Sequence, residues 1–118
     1  MHDPIHPASV RNPAGFWDIS PSAAASNLSA FRLVDVRQPE EYTGVDLHHI
    51  AGAQNVPLAT VPATVASWDR GTPVLLICRS GGRSANAGRF MAEMGFTRLY
   101  NLVGGMLAWN AQGLPVEK

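Results

Sequence analysis

One stretch, PVLLICRSGGRSANAGRFMAEM (residues 73–94), constrains the fold more than any other part of the sequence. Its first five residues, PVLLI, are typical of a strand that is buried on both faces. A turn containing Gly81 and Gly82 follows, and residues 83–94 have the apolar spacing of an amphipathic helix. Strands that turn into helices in this way are typical of α/β proteins, in which helices cover a mostly parallel sheet.

The rest of the sequence also alternates between predicted strands and predicted helices. Four further strands are predicted at FWDIS (16–20), RLVDV (32–36), AQNVP (53–57) and RLYNL (98–102). Helical segments are predicted at 21–30, 38–42, 58–68 and 105–112, and a loop at 43–52. We therefore expect a small, mostly parallel five-stranded sheet with helices on both faces, formed by residues 16–118 as one domain. Residues 1–15, with three prolines and no apolar periodicity, are predicted to be a flexible tail.

Composition and charge exclude several classes of protein. Nine basic and nine acidic residues leave no net charge, which disfavours a nucleic-acid partner. One cysteine cannot form an internal disulfide, and one cysteine with four histidines shows no metal-ligand spacing, so we expect no metal and no cofactor. The N-terminus lacks the pattern of a secretory signal, and no apolar run approaches the roughly 20 residues that span a bilayer. These features predict a cytoplasmic protein without a membrane segment.

The single cysteine, Cys78, stands where α/β proteins bind ligands, at the carboxyl end of the predicted central strand. Gly81 and Gly82 permit a positive φ, so the backbone N–H groups of the turn can point into one concavity. The start of the next helix adds unpaired N–H groups and a positive dipole end. Such surroundings lower the pKa of a thiol, and the thiolate is the nucleophilic form. We therefore predict that Cys78 is a reactive nucleophile.

The length of the turn distinguishes between two kinds of anion. Five residues separate the cysteine and arginine of the Cys-x5-Arg phosphatases, whose loop surrounds a tetrahedral phosphate. Only four residues separate Cys78 from Arg83. A ring one residue shorter suits a smaller charged group, such as the terminal sulfur of a persulfide. A Cys-dependent phosphatase or arsenate reductase is accordingly the less favoured alternative.

Four segments in order resemble the motifs of single-domain rhodanese-like sulfurtransferases. They are LVDVRQPEEY (33–42), HIAGAQNVPL (49–58), VLLICRSGGRSANAGRFMAEMGF (74–96) and LYNLVGGMLAWNAQGLPV (99–116). The resemblance covers roughly residues 16–117 and implies the rhodanese-like α/β fold.

The resemblance also implies a two-step transfer of sulfur. Cys78 attacks the sulfane sulfur of a small-molecule donor such as thiosulfate, holds it as a persulfide, and passes it to a thiol or cyanide acceptor. The N–H groups of the loop are expected to hold the persulfide. The residues assigned to substrate binding are Arg79, Ser80, Gly81, Gly82, Arg83 and Ser84. A module that binds a sulfur-relay protein partner and carries sulfur without an enzymatic reaction is the alternative.

Residues outside the loop are expected to support it structurally. Asp35 and Arg37 are predicted to form a polar network near the loop, and His49 to act through packing and hydrogen bonds. The chain departs from the family pattern at His48, where glycine is usual, and a positive φ there would strain a histidine. Glycines 104 and 105 are expected to allow a close approach of the last turn to the site.

Overall fold

The computed structural model describes residues 7–118. Its strands are β1 (Val10–Asn12), β2 (Phe16–Ile19), β3 (Arg32–Asp35), β4 (Gln54–Asn55), β5 (Val74–Ile77) and β6 (Leu99–Leu102). Its α-helices are α1 (Pro21–Ala25), α2 (Pro39–Tyr42), α3 (Val61–Val65), α4 (Gly82–Glu93) and α5 (Gly105–Ala111). Short 3₁₀ turns at Leu28–Ala30 and Leu58–Thr60 replace parts of two predicted helices, 21–30 and 58–68.

The strands form one sheet in the order β1-β2-β6-β5-β3-β4. All neighbouring pairs are parallel except β1 and β2, which are antiparallel. The α/β fold class with a mostly parallel sheet is confirmed, and β5 lies between β6 and β3 in its interior.

Within residues 7–118 the sheet has six strands, whereas the sequence predicts five. The additional strand is β1, which belongs to the segment predicted as a tail; residues 1–6 of that segment lie outside the described residues. Pattern analysis misses β1 because it is a three-residue edge strand without a buried side chain. The local signal is the turn Asn12-Pro13-Ala14-Gly15, which is closed by a hydrogen bond of 3.1 Å from the Gly15 N–H to the Asn12 carbonyl.

Helices cover both faces of the sheet and divide the core into two clusters. Side chains along β5 point alternately to the two faces of the sheet. Leu75 and Ile77 belong to the cluster that contains side chains of α1 and α5. Val74, Leu76 and Cys78 belong to the opposite cluster, which contains side chains of α3 and α4. The cysteine therefore leaves the sheet on the side where α4 begins.

Candidate active site

The site is built on the turn between β5 and α4, at the carboxyl edge of the sheet. The turn is anchored from behind by α5, because the N–H of Met106 donates to the Cys78 carbonyl (2.8 Å) and that of Leu107 to the Arg79 carbonyl (3.0 Å). Gly105 makes this approach possible. Its φ is +56°, and a Cβ there would lie 2.4 Å from the Cys78 carbonyl oxygen. The expected close approach at this glycine is thus observed.

The turn folds back so that its donors point at the cysteine sulfur. The N–H of Gly81 lies 3.0 Å from Cys78 Sγ, and the Ser84 hydroxyl lies 3.3 Å from it. Gly81 has φ +102°, a conformation that glycine adopts readily. Gly82 does not need this freedom, since it is the first residue of α4 and has no positive φ. The sequence allows a positive φ at either glycine, and of the two Gly81 adopts it.

The electrostatic environment of Cys78 combines two opposing effects. The residue is only 1% exposed, and this burial by itself raises the pKa of the thiol. Hydrogen bonds from the Ser84 hydroxyl and from the N–H groups of Ser84, Gly81 and Ser80 outweigh burial, so the pKa of Cys78 lies below its ordinary value. The cysteine is therefore buried but surrounded by donors, which stabilise the thiolate.

Arg83 is held by a carboxylate from another helix. Its guanidinium donates two hydrogen bonds, of 2.6 and 2.8 Å, to the two oxygens of Glu41 in α2. Glu41 Oε1 also accepts from the N–H of Gln38 at the start of that helix (3.0 Å). The bidentate bond to Arg83 is the main cause that holds the pKa of Glu41 at about 2, and it also raises the pKa of Arg83. Arg83 thus braces α4 against α2.

Arg79 extends into solvent beside the turn. It is 47% exposed and donates a 3.0 Å hydrogen bond to Asp46, which is 76% exposed. Both residues line a surface pocket of about 340 Å³ that also includes Glu40 and Val45. An exposed ion pair of this kind is weak, so Arg79 can exchange Asp46 for an anion from solvent.

Asp35 and Arg37 form the buried polar network that the sequence predicts. Arg37 is 1% exposed, and its Nε and Nη2 atoms donate to the Asp35 carboxylate at 2.9 and 2.8 Å. The guanidinium also donates to the carbonyls of Glu41 (3.3 Å) and His48 (2.7 Å). One arginine therefore ties the end of β3 to the helix that holds Glu41 and to the following loop.

The two histidines of the loop have structural contacts. His48 has φ +56°, so the strain that a histidine incurs at a positive φ applies at this position. The ring of His49 stacks on Tyr42 with 4.0 Å between centroids, and its Nδ1 lies 3.0 Å from the Tyr42 carbonyl oxygen. Trp109 is fully buried and donates to the Pro115 carbonyl (2.8 Å), so it belongs to the core.

Sequence reasoning missed the partners that surround the predicted residues. Neither Glu41 nor Asp46 is assigned a role in the site from the sequence. Asn101 was also missed, although a polar residue within the buried strand LYNL is a visible signal: it accepts a hydrogen bond from Ser84. No group of three possible metal-ligating side chains occurs within residues 7–118.

Comparison with known proteins gives consistent results for sequence and structure. The chain is 34% identical over 84 residues to "Sulfurtransferase" from Allochromatium vinosum, covering 71% of this chain and 76% of that protein. It is 30% identical over 90 residues to "Thiosulfate sulfurtransferase GlpE" from Pseudomonas fluorescens, covering 70% and 80%. A match at 37% identity to the uncharacterised slr1261 of Synechocystis spans only 46% of that protein.

Solved structures share the fold. The crystal structure of a rhodanese-related protein from Thermoplasma volcanium superposes with a TM-score of 0.74 at 28% identity, covering 83% of this chain and 94% of that one. The sequence profile of the Rhodanese-like domain matches residues 20–112, which include every strand except the first two. The chain belongs to the rhodanese-like domain family.

Proposed function

We propose that this protein is a sulfurtransferase that carries a sulfane sulfur on Cys78, from a donor such as thiosulfate to a thiol or cyanide. The observation that carries this proposal is the position of the Gly81 N–H and the Ser84 hydroxyl, which both lie within hydrogen-bonding distance of Cys78 Sγ. Donors arranged in this way stabilise a sulfur anion, and both the attacking thiolate and the terminal sulfur of a persulfide are sulfur anions. The relatives named as sulfurtransferases support the same chemistry.

The first step conserves atoms and electrons without a cofactor. The Cys78 thiolate attacks the outer sulfur of thiosulfate, a new S–S bond forms, and the S–S bond of thiosulfate breaks. Sulfite leaves with the electron pair, and the persulfide keeps one negative charge on its outer sulfur. Arg79, exposed at the rim of the turn, is the group that attracts the anionic donor.

The second step restores the thiolate. A cyanide ion or an acceptor thiolate attacks the outer sulfur, the S–S bond to Cys78 breaks, and thiocyanate or an acceptor persulfide is released. Because the Cys78 side chain is buried, both donor and acceptor have to present one narrow sulfur or carbon atom to it. This favours slender reactants over bulky ones at the turn.

The geometry is less suitable for phosphate chemistry. Both terminal nitrogens of Arg83 are hydrogen-bonded to Glu41, so they are not free to bind a phosphoryl group. The turn also has four residues between Cys78 and Arg83, one fewer than the phosphatase loop. Both observations favour sulfur transfer over hydrolysis of a phosphate ester.

No helix within residues 7–118 is long and apolar enough to cross a membrane. The predicted cytoplasmic location, the absence of a nucleic-acid partner and the existence of a sulfur-relay protein partner stay predictions.

Intact-mass measurement tests the proposal directly. Incubation with thiosulfate should add one sulfur atom, roughly 32 Da, and cyanide should remove it with release of thiocyanate. Cys78→Ser, which keeps a small polar side chain in the turn, is the matched control and should gain no mass. An unmodified wild-type mass, or efficient hydrolysis of a phosphate ester, would contradict the proposal.

A further inference from the structure

A chain of buried and half-buried polar groups extends from the cysteine sulfur across three strands of the sheet. The Ser84 hydroxyl lies 3.3 Å from Cys78 Sγ and 2.5 Å from Asn101 Oδ1 in β6. The Asn101 amide donates to Asp18 Oδ1 in β2 (3.2 Å), and Asn12 of β1 donates to the other Asp18 oxygen (3.1 Å). Ser84 and Asn101 are both buried, so no bulk water competes for these groups.

The serine at the centre of this chain has two acceptors and only one proton to donate. When Cys78 is a thiol, Ser84 can donate to Asn101, to which it is closer. When Cys78 is a thiolate, the same proton has to turn from Asn101 to the sulfur if the hydroxyl is to stabilise the charge. In either position of the proton, one of the two acceptors does not receive the Ser84 hydroxyl, so the two acceptors compete for it.

Asp18 fixes the orientation of the Asn101 amide. A carboxylate only accepts hydrogen bonds, so the NH2 group of Asn101 has to face Asp18 and its carbonyl oxygen has to face Ser84. With the opposite orientation, two oxygens would meet at Asp18, and the amide NH2 would donate to the Ser84 oxygen. Asp18 therefore keeps the amide in the orientation that competes for the Ser84 proton.

We propose that Asn101 is a positioning residue that withdraws the Ser84 hydroxyl proton from Cys78 and thereby limits how strongly the turn stabilises a sulfur anion. The consequence concerns reactivity as well as charge. A thiolate that receives every available hydrogen bond is more populated but less nucleophilic, and its persulfide is held more tightly. Competition from Asn101 leaves the sulfur anionic yet able to attack the donor and to pass the bound sulfur to an acceptor.

The charged groups around the turn are paired with one another and do not take part in this competition. Arg83 of α4 binds Glu41 and Arg79 binds Asp46, as described above. Asp35 at the end of β3 binds Arg37, whereas Asp18 contacts the chain of Ser84 and Asn101 through the Asn101 amide. Substitutions at Asn101 that leave these pairs in place should therefore act on Cys78 through Ser84.

The test measures alkylation of Cys78 by iodoacetamide against pH in the full-length protein. Asn101→Leu removes the competing acceptor with a side chain of similar shape, so the rate at pH 6 should rise roughly three- to tenfold. At high pH, where the thiolate is fully populated, the rate should fall about two- to threefold because the sulfur is less nucleophilic. Ser84→Ala should have the opposite effect at pH 6, since the hydroxyl donor is lost.

The double variant Ser84→Ala/Asn101→Leu shows whether Asn101 acts through the serine. Its pH profile should match that of Ser84→Ala, because without the hydroxyl no proton remains to be shared. Asp18→Asn, a smaller change on a half-buried residue, is the second route if Asn101→Leu does not fold. This substitution allows the Asn101 amide to adopt the opposite orientation. Like Asn101→Leu, it should raise the alkylation rate at pH 6.

Structural damage alone would give a different result. Loosening the turn exposes Cys78 and weakens every hydrogen bond to it, so it would return the pKa of Cys78 towards its higher ordinary value and raise the rate at high pH, whereas the proposal predicts a lower pKa and a lower rate at high pH. A lower or unchanged rate at pH 6 in a folded Asn101→Leu or Asp18→Asn variant overturns the proposal, as does an effect that persists without Ser84. The inference concerns the sulfur on which the proposed function rests, but alkylation needs no sulfur donor, so the two can fail independently.

Discussion

The ion pair between Arg83 and Glu41 should stabilise the folded protein in a pH-dependent way. Glu41→Gln removes the charge but keeps an amide oxygen that can still accept from the Gln38 N–H at the helix start. The pKa of Glu41 is about 2 instead of 4.5, which would correspond to about 3 kcal/mol in a fully buried pair. Because Arg83 and Glu41 are 34% and 30% exposed, solvent screening reduces this to about 1–2 kcal/mol.

The sign of the pH dependence follows from the lowered pKa. The stabilisation is fully present above about pH 4.5, where the carboxylate of the unfolded chain is also ionised, and it is lost as the pH falls towards about 2. Urea unfolding should therefore show a loss of about 1–2 kcal/mol for Glu41→Gln at pH 7 and less than half of that loss at pH 3. The exposed neighbour Glu40 provides the control, and Glu40→Gln should change stability by less than about 0.5 kcal/mol. An equal loss at both pH values would refute the reasoning.

Two further substitutions test the surroundings of the turn. His48→Gly should raise the free energy of unfolding by up to about 1 kcal/mol in urea titrations, because glycine adopts φ +56° without steric strain; a clear loss would show that the histidine side chain contributes more than its backbone costs. Asp46→Asn should free Arg79 and lower the KM for thiosulfate by up to about fivefold, with stability unchanged, in steady-state thiocyanate assays. A raised KM for thiosulfate would show that Asp46 helps to position the donor.

The backbone of the fold follows from local sequence patterns. The apolar run PVLLI forms β5 because both of its faces are covered, and the amphipathic spacing of residues 83–94 forms α4 because one face packs on the sheet. The turn between them is also predictable, since glycine is needed where φ is positive, at Gly81. These features depend only on neighbours in sequence.

The interactions around the turn depend on residues that are far apart in sequence. Arg83 and Glu41 are 42 positions apart, and Asn101 and Asp18 are 83 apart. A single sequence contains no local pattern that pairs them, because the pairing results from strand order in the sheet. The sequence thus singles out Cys78 as the predicted nucleophile and does not predict the residues that surround it.

The weakest pattern belongs to β1. Its side chains are largely exposed, so the alternation that reveals a half-buried strand is missing. Its position is determined by pairing with β2 and by the turn at Gly15, whose added Cβ would lie 2.6 Å from the Cβ of Ala92 in α4. The packing of the turn on a helix explains why residues from the predicted tail join the sheet.

The strand order has a consequence for the behaviour of the protein at high concentration. In the part of the chain that the structure describes, the edge strands of the sheet are β1, three residues long, and β4, two residues long. Such short edge strands offer few free N–H and carbonyl groups to a second molecule, so they are poor templates for pairing between sheets of different molecules. The apolar central strands are protected from pairing with other molecules as long as β1 and β4 stay folded.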